Sequence, residues 1–207
     1  VSLFEELAYS RDITLEFNTK EDELNYNFDL NLMEKVYFNF LSNAFKNTPN
    51  HGKVSVSVDS FSFSSIKDSF PGKAELFSDK IDRYIVVKIE DSGVGIESEE
   101  LEKIFIPFYQ VAQNEHSSSG TGLGLSLSKA IIEMHHGTVW AESPENSGAV
   151  FICILPVSLT DYKDEEVVDL MEEDIILDNK PESGEEKLII TSASLPKGSY
   201  TILVVED

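Results

Sequence analysis

Arginine is almost absent from these 207 residues: Arg11 and Arg83 are the only two. A site for phosphate groups must therefore rely on backbone N–H groups, lysine and metal rather than on guanidinium forks. Positive charge as a whole is scarce, with 16 basic against 38 acidic residues and a net charge of −22. A surface this acidic repels nucleic acid and anionic membrane, so neither is expected as a partner. Cys153 is the only cysteine. That excludes an internal disulfide and fits a reducing, cytoplasmic compartment. Its place in an apolar run marks it as a buried, inert thiol. No apolar run reaches membrane-spanning length, and no signal peptide opens the chain. What is present is a 41% hydrophobic composition, enough for one full domain with a remainder. The chain begins in mid-pattern at Val1-Ser-Leu-Phe4 and stops at Val204-Val-Glu-Asp207, as a piece of a longer protein would.

The central stretch is Gly120-Thr-Gly-Leu-Gly-Leu125, a glycine loop running into a helix that ends near Gly137. Leu123, Leu127, Ala130, Ile131 and Met134 recur at helical spacing and predict one apolar face. Unpaired N–H groups and the positive end of the dipole gather where the glycines open this helix, and a phosphate chain is the usual partner. A loop that needs glycine only for a tight turn is the plainer alternative.

Upstream, residues 1–9 read as the end of a helix and Asp12–Phe17 as a strand, with a polar loop at 18–23. A longer helix is expected over 31–47, with Asn31 and Glu34 at capping-box spacing and Pro49 as its stop. Met33, Val36, Tyr37, Phe40, Leu41, Ala44 and Phe45 form its apolar side. The remaining stripe carries Lys35, Asn39, Ser42, Asn43 and Lys46. Asparagine is a poor helix former, so two amides and a lysine on one face suggest a lined site rather than an ordinary solvated stripe. A strand follows at 53–58. Its alternation then changes phase, because Phe61 and Phe63 are odd-numbered, and a bulge or turn after Asp59 would explain the shift. Residues 59–83 read as an extended hairpin or surface insertion, part of which packs.

Tyr84–Glu90 is a further strand, ending at Asp91-Ser-Gly-Val-Gly95. A carboxylate there can accept from the exocyclic amine of adenine, and glycines leave room for the ring. Ser98 can cap a short helix with Leu101, Ile104 and Phe105. Residues 110–119 are polar and aperiodic, as in a mobile lid, and His116 within them reads as a solvated loop residue. His135 and His136 suit a helix C-terminus, where cations complement the dipole. Thr138–Ser143 and Ala149–Leu155 form a hairpin closed by Pro156. From Leu159 to Lys187 twelve acidic and three basic residues mark a linker, with Val167, Leu170, Met171 and Ile175 spaced for one short helix. Tyr200–Asp207 reads as a buried strand that opens a new domain.

The order Asn39-Phe-Leu-Ser-Asn43-Ala-Phe-Lys46, Asp91-Ser-Gly-Val-Gly95 and Gly120-Thr-Gly-Leu-Gly-Leu125 resembles the catalytic ATP-binding domain of sensor histidine kinases. Phe105 and Phe108 stand where that family has its phenylalanine box. The resemblance covers residues 1–158 and implies an α+β fold: the Bergerat two-layer α/β sandwich, a mixed sheet with helices on one face. Residues 159–199 would be an acidic linker. Ile202–Asp207 resembles the first strand of a response-regulator receiver domain, implying a hybrid kinase. The resemblance implies ATP and Mg²⁺ as cofactors, with Asn43 and Asn39 ligating the metal and Lys46 facing the phosphates. Asp91 would select adenine, with Gly93 and Gly95 making room and Ile96 at its edge. Asn47 and Phe108 would also lie at the nucleotide. Gly120, Thr121, Gly122, Leu123, Gly124 and Leu125 would hold the phosphates and anchor the lid.

The chain departs from the family in three ways. Asn47 replaces a usual aromatic residue, the 59–83 connection is long, and the lid lacks lysine and arginine. Expected partners are a phosphoacceptor helical hairpin of the same protein, a receiver domain, and a second copy in a homodimer of the full-length protein. The resemblance leaves room for a membrane anchor elsewhere in the parent.

Three activities compete: phosphoryl transfer to a protein histidine, ATP hydrolysis by a conformational switch of the same fold, and non-catalytic nucleotide binding. Position 39 favours the first. Hydrolysing relatives carry a glutamate there, whereas an amide cannot act as a base. The chain's own histidines, His51, His116, His135 and His136, are not in the setting that the family phosphorylates.

Overall fold

The computed structural model describes residues 2–20, 24–26, 28–111, 121–144, 147–157 and 200–202. The chain divides into two units, residues 1–22 with 28–157, and residues 23–27 with 158–207. In chain order the helices are α1 (Ser2–Arg11), α2 (Leu30–Asn47), α3 (Phe63–Ser69) and α4 (Gly124–Met134). The strands are β1 (Thr14–Thr19), β2 (Leu24–Tyr26), β3 (Lys53–Ser62), β4 (Arg83–Asp91), β5 (Thr138–Glu142), β6 (Val150–Pro156) and β7 (Tyr200–Ile202). In the smaller unit β2 pairs antiparallel with β7.

The larger unit is built on a five-stranded sheet in the order β1-β3-β4-β6-β5. β1 runs parallel to β3, and every other pair is antiparallel. This is the mixed sheet with helices expected of the α+β sandwich. Side chains alternate between faces along each strand. Phe151 stacks on Phe40 of α2 at 5.4 Å, which assigns Phe151, its partner Ile89 and in turn Val56 to the α2 face. Met33, Val36, Phe40, Ala44 and Phe45 of α2 are buried, and α4 packs beside α2.

The cap of α2 is Asp29, whose side chain accepts from Leu32 N at 3.0 Å. Asn31 lies inside the helix and does not cap it. At the other end Thr48 adopts extended backbone and donates its N–H to Ala44 O, as a residue before proline should.

No bulge interrupts β3: its pairing with β4 is continuous from Val54↔Asp91 to Ser62↔Arg83. The change of phase at Phe61 instead marks a change in which face is covered. The 59–83 insertion forms the end of β3, α3 and a 3-10 turn over Pro71–Leu76, not a hairpin. It folds onto the second face of the sheet, where Ile66, Phe77 and Ile81 join Tyr84, Val86, Trp140, Ile152 and Ile154 in one cluster. Ile66 is fully buried there, worth about 1.5–3 kcal/mol. Ser98 caps no α-helix; Ile104 and Phe105 are buried on a 3-10 turn. Residues 112–120 (with His116 and Gly120), the 159–199 linker and 203–207 lie outside the described residues.

Candidate functional site

A cleft of about 350 Å³ opens between α2, the loop after β4 and the start of α4. Its inner end is Asp91, the last residue of β4, only 3% exposed. Asp91 Oδ1 accepts from Gly93 N at 2.8 Å and, more weakly, from Ala149 N at 3.4 Å. Both bonds fall on one oxygen, so Oδ2 is the atom available to a ligand. Burial pushes the carboxyl above the usual aspartate range, and the two N–H groups oppose that shift.

The loop around Asp91 is held by close backbone packing. A Cβ on Gly93 would strike the Asn47 carbonyl. Ile96 N donates to Ser143 Oγ at 2.9 Å, and that hydroxyl donates to Gly148 O at 2.7 Å. Ser143 thus fastens the glycine turn to the β5–β6 hairpin. Ile104, Ala149 and Phe151 supply apolar wall.

The outer end is polar and more open. Asn39, Ser42, Asn43 and Lys46 project from one stripe of α2 into the cleft, with Asn47 beside them. Asn47 Nδ2 donates to Asn43 O at 2.8 Å. Facing them are Thr121, Gly122, Gly124 and Leu125. Leu123 occupies the N-cap of α4 and offers no side-chain cap. The N-cap side chain therefore satisfies none of the first-turn N–H groups of α4, and a helix start of this kind suits a phosphate.

The two stems of the 112–120 segment are tied together. Phe108 N donates to Gly122 O at 2.9 Å. Gly122 has φ +71°, and a Cβ there would lie 2.8 Å from the Phe108 backbone. Tyr109 hydroxyl donates to Glu100, which also pairs with Lys103 at 3.1 Å. The Tyr109 hydroxyl and Lys103 hold the Glu100 carboxyl below its usual range.

Asn39, Asn43, Lys46, Asn47, Asp91, Gly95, Ile96, Thr121, Gly122, Gly124 and Leu125 thus line one cleft. Three expected residues do not. Gly93 packs against Asn47 and shapes the loop from behind. Phe108, with a left-handed backbone at φ 65°, is 72% exposed. Leu123, at the N-cap position of α4, is exposed. Ser42, Ile104, Tyr109, Gln110, Val111, Ala149 and Phe151 also line the cleft, and Ser143 braces it. Tyr109 and Gln110 could have been found, since they directly follow Phe108; Ser143 and Ala149 had no local signal.

Of the apolar face expected of α4, Leu123, Leu127, Ala130 and Met134 point outward and only Ile131 is buried. Leu127 and Met134 are 50% and 66% exposed and Leu123 is also exposed, while Ser128, Ile131 and Ile132 are buried. His135 is buried and uses both ring nitrogens, Nδ1 donating to Ile131 O and Nε2 accepting from Asp29 N at 2.9 Å. That pattern needs the neutral ring, so His135 joins two helices rather than serving as a C-terminal cation. His136 takes the left-handed position at φ 56°, and Gly137 is needed for close approach to Ile154 O.

A cleft with a buried carboxylate at one end, an amide-bearing helix and a glycine-opened helix suits a nucleotide-binding protein. Residues 28–159 match the histidine kinase-, DNA gyrase B- and HSP90-like ATPases, and the chain belongs to that family. Within it, the chain carries the ATP-binding catalytic domain of a sensor histidine kinase. The catalytic domain of histidine kinase ThkA superposes with a TM-score of 0.59 at 30% identity, over 75% of this chain and 86% of that one. Histidine kinase P4 of Formosa agariphila is 30% identical over 217 positions, covering 99% of this chain and 14% of that protein. ThkA in complex with response regulator TrrA matches at a TM-score of 0.57 and 27% identity, over 78% of this chain and 39% of that one. The chain therefore spans a small part of the full-length kinase it matches. Among the described residues no helix is long and apolar enough to cross a membrane.

Proposed function

We propose that the cleft binds ATP with Mg²⁺ and presents the γ-phosphoryl group to a histidine on a helical hairpin of the full-length protein. The observation that carries this reading is the side chain at position 39. It is an amide whose Nδ2 is bonded to Gly124 O and Ser128 Oγ, so the position holds no base to activate water. A site that keeps the triphosphate but lacks that base is suited to transfer rather than hydrolysis.

In this reading Asp91 Oδ2 accepts from the adenine amine, and Ile96, Ile104 and Phe151 enclose the ring. The open first turn of α4 and Lys46 take the phosphates. Among the described residues no three His, Cys, Asp or Glu side chains cluster to hold a metal. A divalent ion would therefore rest on phosphate oxygens, water and the carboxamide of Asn43, a donor set that suits Mg²⁺. When bound, Mg²⁺ neutralises charge on the transferring group. The chain's own part is positioning. The exposed stripe of Leu123, Leu127, Ala130 and Met134 beside Phe108 offers an apolar face to the hairpin.

The parent protein would dimerise through that hairpin, and it would pass the phosphoryl group to a receiver domain, in keeping with the complex of ThkA with response regulator TrrA. Tyr200–Asp207 would open such a receiver in the same chain, after the acidic linker. Support for this hybrid arrangement is the sequence resemblance, and the alignment to the Formosa kinase that runs through 99% of the chain.

The test mixes labelled ATP with the chain, alone and with the hairpin added separately. Label should appear on the hairpin as acid-labile, base-stable phosphohistidine, with little free phosphate. Rapid phosphate release by the chain alone, with an unlabelled hairpin, would identify a hydrolysing switch instead.

A further inference from the structure

Asn39 and Asn43 lie one helical turn apart, and both were expected to reach the metal. Their surroundings differ. Asn39 Nδ2 donates to Gly124 O and to Ser128 Oγ, each at 3.2 Å. The orientation of the amide follows from its partners. Gly124 O can only accept, and Ser128 Oγ already spends its proton on Gly124 O at 2.9 Å. Both therefore need a donor from Asn39, and only the nitrogen can be that donor. Ser128 is fully buried on the inner side of α4. Gly124 lets the amide come close, since a Cβ there would lie 3.3 Å from Asn39 Oδ1.

These bonds join the amide-bearing helix to the first turn of α4. That turn has no side-chain cap of its own, because Leu123 occupies the N-cap. Its direction decides where the N–H groups at Gly124 and Leu125 point, and hence whether they meet a phosphate. We infer that Asn39 is a positioning residue that locks the first turn of α4 to α2, leaving Asn43 alone as the metal-facing carboxamide of the proposed function. This rests on the cleft being the nucleotide site described above. The lock also accounts for an amide rather than a carboxylate at position 39: a carboxylate would set acceptor against acceptor at Gly124 O.

The test uses the 207-residue chain and five variants: Asn39→Ala, Asn39→Asp, Ser128→Ala, Asn43→Ala and the double variant Asn39→Ala with Ser128→Ala. Without nucleotide, amide exchange over residues 124–128 should quicken in Asn39→Ala and Ser128→Ala, with the double variant no faster than Asn39→Ala alone. ADP is then titrated with and without Mg²⁺. Asn39→Ala and Ser128→Ala should each weaken ADP about threefold to tenfold, the worth of one hydrogen bond. The factor by which Mg²⁺ tightens ADP should stay as in the parent chain. Asn39→Asp should be weaker still, and Asn43→Ala should lose the Mg²⁺ effect.

The inference is overturned if Asn39→Ala loses the Mg²⁺ effect as Asn43→Ala does, or if Asn39→Asp binds Mg·ADP as well as the parent. It is equally overturned if exchange at 124–128 is unchanged, or if the folded variants bind ADP normally. Failure of the unmutated chain to bind ADP would sink the nucleotide reading instead, while the exchange measurement still judges the lock.

Discussion

The two ends of the cleft are made differently. At the inner end three stretches of backbone converge: the turn after β4, the β5–β6 hairpin and the end of α2. Asp91, Gly93, Ile96, Ser143, Gly148 and Ala149 are tied by hydrogen bonds or by packing that admits no Cβ. At the outer end the groups sit on helix surface and loop, Lys46 and Thr121 are exposed, and the Asn39 amide joins α2 to the first turn of α4. An uncharged ring is recognised by shape and a few fixed polar atoms, so its walls must exist beforehand. Phosphates bring charge and a metal with them, and an open helix end with a lysine is enough to receive them.

The largest expected effect strikes the inner end. Gly148 has φ +73°, and a Cβ there would run into the Asp91 carbonyl. Gly148→Val should cost about 3–5 kcal/mol of stability, as overpacking and strain combine. Denaturant unfolding would measure it; a loss under about 1 kcal/mol would mean the corner is looser than it looks.

Asp91→Asn comes next. It should weaken ATP, ADP and adenosine alike by about 1.5–3 kcal/mol, the worth of a charge-assisted hydrogen bond. Ser143→Ala should cost nucleotide affinity about 1 kcal/mol by freeing Ile96 N from its acceptor, and this loss too should be the same for adenosine and ATP. A loss confined to ATP would place Ser143 at the wrong end of the cleft.

The smallest effect is a pH dependence. Burial raises the Asp91 pKa in the folded chain. The stability this contributes to the empty chain is fully present below the ordinary aspartate range and is lost as pH rises through the raised folded value. In the proposed reading ligand binding has the opposite sign, because a carboxyl that accepts from the adenine amine must be ionised. ADP affinity should therefore fall, as pH falls, earlier than an ordinary aspartate would dictate, and Asp91→Asn should flatten that curve in titrations across the acidic range.

The helix face of the sheet was legible because α2 buries Met33, Val36, Phe40, Ala44 and Phe45 at regular spacing and leaves its amides on the other side. That Asn39, Asn43 and Lys46 share the stripe that lines the cleft was legible for the same reason, and Asp91 and Gly95 through the short-range turn chemistry of their loop. The second face was not. Phe61 departs from the pattern of Val54 and Val56 because α3 folds back over the opposite surface, and no local period announces a change of cover. The apolar period of α4 does not tell which positions are covered: Leu123, Leu127 and Met134 are exposed, while the buried positions include Ser128, held inside by its hydrogen bonds. The pairing of Leu24–Tyr26 with Tyr200–Ile202 joins segments too far apart for any window to connect. Ser143 stayed hidden because its bonds go to backbone atoms of residues distant in the chain.

The central claim, one nucleotide site with its base at Asp91 and its metal at Asn43, is tested most directly by calorimetric titration of adenosine, ADP and ATP, with and without Mg²⁺. The parent chain, Asp91→Asn and Asn43→Ala would be compared. Asp91→Asn should weaken all three ligands by a similar factor. Asn43→Ala should leave adenosine unchanged and remove the tightening that Mg²⁺ brings to ADP and ATP. Adenosine binding that ignores Asp91→Asn, or a Mg²⁺ effect that survives Asn43→Ala, would contradict the account.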